Sequence, residues 1–172
     1  MSNDELTKKL HAIHNGDHTA FDEVYKDLQI PIFTIIYRIT WDNALAEEIT
    51  QEVFIKIYLS SFNQPARNIR AYIFQMARNL AIDSIRKRKT SENLEIAENR
   101  FYQPVETLSQ RLDIENALRA LPDRERQIII LHINAGLRFR EIANVIKQPL
   151  GTVIWAYQKA IKYLRIALGG EA

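Results

Sequence analysis

Apolar side chains recur at three- and four-residue spacing through almost the whole chain, and no segment alternates with the period of two that a half-buried strand requires. This pattern admits helices and little else. Phe21, Val24, Tyr25, Leu28, Ile32, Ile35, Ile36 and Ile39 form the longest stripe, with Pro31 inside it expected to kink or split the helix. A short polar helix over 4–15 precedes it and ends at Gly16, and Asp17 or Thr19 can cap the long helix that carries the stripe. Trp41-Asp42-Asn43 reads as a turn, with Asp42 the N-cap of a third helix, 44–61, built on Ile49, Val53 and Ile57 and flanked by Leu45, Phe54 and Tyr58. A loop containing Pro65 leads to a fourth helix from 68 to about 89. Its stripe is Ile69, Tyr72/Ile73, Met76/Ala77 and Leu80, and its cationic end, Arg86-Lys87-Arg88-Lys89, suits a helix C-terminus.

Residues 90–108 are polar, acidic and weakly periodic and read as a linker. Ser109 to Ala120 is helical again, and Pro122 at the first helical position opens a helix from Asp123 to about Asn134. From Leu121 to Leu164 the order is helix, turn, short helix, tight turn and long helix, the layout of a helix-turn-helix unit. Ala143 lets two helices cross closely, Val153 packs beneath the second, and Ile128, Leu131, Ile142, Ile146 and Leu164 complete the expected core. Two positions depart from the usual pattern. Lys147 stands where a glycine commonly takes the left-handed conformation, at a cost of about 1 kcal/mol. Arg138 stands where a Ser or Thr would cap the short helix. The expected fold is all-α: two small helical bundles, 1–89 and 109–172, joined by the flexible linker 90–108.

With 47% apolar and 26% charged residues, the composition is that of a folded soluble protein. No apolar run approaches the roughly 18 residues that a membrane span needs. The start, MSNDELTKK, lacks a secretory apolar region, and without cysteine there is no disulfide framework or thiolate chemistry. A cytoplasmic location with no membrane insertion is expected. The net charge of +2 conceals segregation: −5 over residues 1–61, +6 over 62–90, −3 over 91–120 and +5 over 121–170. Two basic blocks separated by an acidic one suit two contacts with a polyanion.

Within these blocks several constellations bear on function. On the last helix, Thr152 and Val153 lie where a reading helix meets DNA, and Ile154, Trp155 and Ala156 are the first positions expected to be exposed. Lys159, Lys162 and Arg165 form a basic ridge suited to phosphates, which position DNA without reading it. Packing against a neighbouring helix is the competing role for Trp155, Tyr157 and Tyr163. The fourth helix mixes cations and rings (Arg70, Tyr72, Phe74, Arg78, Arg86, Arg88), the combination that captures unpaired bases, or else a core helix with a solvated basic end. Glu48, Gln51 and Glu52 share one face of the third helix, with Phe54 as a candidate apolar anchor for a protein partner. His11, His14 and His18 are spaced as metal ligands could be, but Gly16 interrupts them, so no metal, cofactor or catalytic residue is expected. No phosphate-cradling or hydrolase motif occurs.

In this order the motifs resemble a bacterial RNA polymerase sigma factor of the extracytoplasmic-function (ECF) group, within the sigma-70 family, over about residues 18–168. AEEITQEVFIKIY (46–58) is similar to the family's core-binding helix, and NIRAYIFQMARNLAIDSIRKRK (68–89) to its −10 melting helix. ALRALPDRERQIIILH (117–132) and EIANVIKQPLGTV (141–153) resemble its −35 domain. The resemblance implies an alternative sigma factor that is not an enzyme and directs promoter recognition, melting and initiation. Its partners would be core polymerase (β′ clamp helices and β flap), promoter DNA and an anti-sigma factor. It places Glu48, Gln51, Glu52 and Phe54 against core polymerase. It places Arg67, Asn68, Tyr72, Arg78, Asn79, Asp83, Arg86 and Arg88 at the −10 element, and Lys147, Gln148, Thr152, Trp155, Ala156, Lys159 and Lys162 at the −35 element. Where the family usually has a Lys-Ser-Arg-like run, this chain has Ile154-Trp155-Ala156, and Tyr72 stands where tryptophan is common. A helix-turn-helix repressor or activator acting without core polymerase is the competing function. A metal-dependent enzyme built on the histidines and carboxylates is the third.

Overall fold

The structure, a computed structural model, describes residues 1–60, 68–92 and 109–169. Among the described residues there are eight helices and no strand. They are α1 (Asn3–His14), α2 (His18–Thr40), α3 (Asn43–Leu59), α4 (Ile69–Glu92), α5 (Ser109–Ala120), α6 (Asp123–Ile133), α7 (Phe139–Ile146) and α8 (Leu150–Ala167). None of the described helices is long and apolar enough to cross a membrane.

Short polar side chains start the first four helices by accepting the amide donors that a helix leaves unpaired. Ser2 and Glu5 form a reciprocal capping box at α1 (3.2 and 3.4 Å). Asp17 Oδ1 accepts from Ala20 N–H (3.1 Å), Asp42 Oδ1 from Leu45 N–H (3.0 Å) and Asn68 Oδ1 from Ala71 N–H (2.9 Å). Pro31 does not split α2, which is unbroken from His18 to Thr40. Full burial of Leu28 and Ile32 on either side offsets the roughly 3 kcal/mol that an interior proline costs. The helix stops at Trp41, which takes the left-handed conformation (φ 54°). Its ring packs on Tyr37 (5.7 Å) and beneath the Arg38 guanidinium (5.4 Å), contacts that oppose the steric cost.

The chain divides into two compact units, Met1–Lys89 and Thr90–Ala172. In the first, Leu6 and Leu10 of α1, Val24, Leu28 and Ile32 of α2, Ile49, Val53 and Ile57 of α3, and Ile73 and Phe74 of α4 are buried together. In the second, Ile128 and Leu131 of α6, Ile142 of α7 and Val153, Ala156 and Ala160 of α8 form the core, with Ile146 and Leu164 half-buried at its edge. The turn between α7 and α8 passes through Lys147 in the left-handed conformation (φ 55°), as the sequence predicts. Arg138 gives α7 no side-chain cap. Glu141 compensates by accepting the Arg138 N–H on Oε2 (2.7 Å). Pro122 stands one position before α6, at its N-cap, and not at the first helical position.

Candidate functional site

Three faces collect the residues singled out in the sequence. The first is on α3, which packs against α1 and α2 through Ile49, Val53 and Ile57 and turns Glu47, Glu48, Gln51 and Glu52 outward. Lys56 pairs with Glu52 (3.3 Å), so Glu47 and Glu48 carry the less compensated charge of the face. Phe54 is not part of the exposed face. It is 4% exposed, packed on Tyr25 (4.6 Å) and edge-on to Phe21 (6.3 Å), because α2 crosses that side of α3. The apolar surface at the face comes instead from residues whose exposure the sequence does not reveal. Ile30 is 70% exposed, and beside it Tyr25, Gln29 and Phe33 of α2 face Glu47, Thr50 and Gln51 of α3 across a shallow groove. Ile55, Tyr58 and Leu59 are exposed at the far end of α3.

The second face is on α4. Ile73, Ala77 and Ala81 face the bundle, which leaves Tyr72, Asn79, Asp83 and Arg86, all exposed, as one stripe on the opposite side. Asn68 lies at its start as the helix cap. Arg78 stands to one side of the stripe, half-buried, and burial pushes its guanidinium below the ordinary arginine value. Arg88 continues the line of Phe74, Ala77 and Ala81 and therefore turns toward the bundle. There its Nη1 donates to Asp42 Oδ2 (2.7 Å). Asp42 thus holds two helices with one carboxylate, Oδ1 on the start of α3 and Oδ2 on the end of α4. The Leu45 N–H first, and the Arg88 guanidinium after it, hold its carboxyl below the usual 3.8 against the opposing effect of burial. Arg70 is structural: it bridges to Asp27 (3.2 Å), lies over Phe74 (5.6 Å) and donates its backbone N–H to Asn3 Oδ1 (3.2 Å). Arg67 lies outside the described residues.

The third face is on α8, where Thr152, Trp155, Lys159 and Lys162 follow one another at spacings of three and four. Gln148 and Lys147 flank them in the preceding turn. Ala156 is not among them. It is 2% exposed, because Val153, Ala156 and Ala160 are the buried edge of this helix, so its methyl cannot reach a base. Lys159 is committed within the protein: its Nζ lies 2.9 Å from Glu125 Oε1 and 5.3 Å from the Trp155 ring centre. Tyr157 packs inward against His132 (5.1 Å) and Phe139 (4.9 Å). Among the described residues no group of three or more His, Cys, Asp or Glu could hold a metal. His11 and His14 lie on α1, and His18 begins α2 beyond Gly16 (φ +92°).

Residues 24–91, which span most of α2, α3 and α4, match the Sigma-70 region 2 family model. The chain therefore carries a Sigma-70 region 2, and over most of its length it is similar to sigma factors of the extracytoplasmic-function group. Over 167 residues the chain is 29% identical to the ECF RNA polymerase sigma factor SigW of Bacillus subtilis, with 86% of this chain and 88% of SigW covered. It is 25% identical to SigM of the same organism (83% and 93% covered) and 25% identical to SigK of Mycobacterium tuberculosis H37Rv (95% and 94%). Its fold resembles that of the sigma factor RpoE of Bartonella quintana, solved with the anti-sigma factor NepR (TM-score 0.73, 20% identity, 88% of this chain and 98% of that one). It also resembles CnrH, solved with the cytosolic domain of CnrY (TM-score 0.67, 18% identity, 95% and 97%).

Proposed function

We propose that this chain is a cytoplasmic, dissociable sigma subunit that docks on core RNA polymerase through α3 and presents α4 and α8 to the −10 and −35 promoter elements. It acts by binding, with catalysis left to the polymerase. The observation that carries this reading is the presence in one unit of an acidic α3 face and a basic, aromatic α4, with the helix, tight turn, helix order of α7 and α8 in the other unit. Glu48, Gln51 and Glu52 supply the polar part of the docking face for the β′ clamp helices, with Ile30 beside them and Phe54 supporting them from beneath. Tyr72, Asn79 and Arg86 would meet the separated strand, where ring stacking and cations hold unpaired bases. Thr152, Trp155 and Lys162 would face the duplex major groove, and the β flap would hold this second unit. An anti-sigma protein covering these faces fits the same arrangement.

Run-off transcription with core polymerase and a promoter library tests the reading. Transcripts that depend on the added chain and share two spaced sequence elements are the expected result. DNA binding by the chain without co-purification of core would replace it with a helix-turn-helix regulator acting alone.

A further inference from the structure

We propose that Trp155 reads a thymine methyl in the upstream promoter element and that Glu125 acts as its positioning residue through Lys159. The inference rests on the proposed entry of α8 into the major groove. Trp155 is 62% exposed in the middle of the face that Thr152, Lys159 and Lys162 share. A tryptophan has one donor and no acceptor, so it cannot make the two-pronged contact that identifies guanine or adenine. What it offers a base edge is apolar surface. The 5-methyl of thymine is the apolar group that the major groove displays.

An exposed indole normally samples several rotamers and would lose that freedom on contact. This one is held. The Lys159 ammonium sits 5.3 Å from the ring centre and 2.9 Å from Glu125 Oε1. Glu125 enters from α6 with its side chain only 9% exposed, and its other oxygen, Oε2, has no hydrogen-bond partner among the described residues. Lys159 keeps more than half of its side chain exposed, but moving it onto a DNA phosphate would leave the buried Glu125 carboxylate without its partner, which opposes the move. Lys159 therefore works as a clamp across α6 and α8, fixing the indole, and not as the phosphate contact that its place on a basic ridge suggests. The glutamate gives this chain a rigid apolar element in the reading face.

The test uses holoenzyme assembled from core polymerase and the full chain. After promoter selection, each thymine of the upstream element is replaced by deoxyuridine, which lacks only the 5-methyl. One replacement should weaken wild-type binding about fourfold, the worth of about 0.8 kcal/mol for one buried methyl-sized group. Trp155→Ala should bind both DNAs equally. Lys159→Met should lower the thymine preference while leaving the salt dependence of binding unchanged. Glu125→Gln, which releases Lys159, should lower the preference and steepen that dependence by about one ion. Indifference of wild type to every deoxyuridine overturns the proposal. So does a salt dependence that becomes shallower by about one ion in Lys159→Met, because Lys159 would then be a phosphate contact. If wild-type holoenzyme selects no promoter at all, the sigma-factor reading itself fails and this proposal goes with it.

Discussion

Asp42 ties the start of α3 to the end of α4, and its carboxylate gives the first prediction. Asp42→Asn keeps the α3 cap, since asparagine caps as well as aspartate, but removes the charge that Arg88 requires. Asp42→Ala removes both and should cost about 1 kcal/mol more, read from denaturant melts. Because the folded carboxyl is held below 3.8, its contribution is complete above that pH and fades as acidification carries the protein through the depressed value. The stability gap between wild type and Asp42→Asn should therefore be largest at neutral pH and close well below 3.8. Persistence of the full gap in strong acid would contradict the assignment. At Ala156 the prediction reverses an expectation from the family resemblance. Ala156→Arg should not create a base contact but should destabilise the second unit by about 1–3 kcal/mol through overpacking. Lys147→Gly, at φ 55°, should be neutral to stabilising by up to about 1 kcal/mol in the same melts.

Helices divide the work more sharply than residues do. Glu48→Lys combined with Glu52→Lys should weaken pull-down of core polymerase without altering helix content, because both side chains are exposed on α3. Ile30→Asp on α2 should do the same if the groove is part of that face. Arg78→Ala with Asn79→Ala should impair promoter opening, read by permanganate reactivity, more than core binding. Equal loss of both would remove α4 from the melting role. The helix phases were legible in the sequence, and so were the caps at Asp17 and Asp42, because spacing and capping are local properties. The burial of Ala156 runs against the expectation that it is exposed at the start of the last helix, although Val153, Ala156 and Ala160 at spacings of three and four mark one buried line. Phe54 was not legible, since α3 is apolar on more than one side and only the crossing of Phe21 and Tyr25 from α2 shows where its ring goes. Glu125 was hidden for the same reason. Among Asp123, Arg124 and Arg126 it reads as a solvated charge, and its partner is 34 residues away.

At the scale of the molecule, the two units have separate cores, one around Phe74 and Leu28 and one around Ile128 and Val153. Phe74→Ala should cost about 3–5 kcal/mol in the first unit while hydrogen exchange in α6 and α8 stays as in wild type. Protection lost across both units would show that they unfold as one. Changes on α8 are constrained by the core of the second unit and by Glu125. The carboxylate of Asp42 has the opposite character, and its consequence is genetic. A screen for docking mutants and a screen for promoter-opening mutants should both return alleles of codon 42, and second-site suppressors should cluster at codon 88, where the released guanidinium must find another partner.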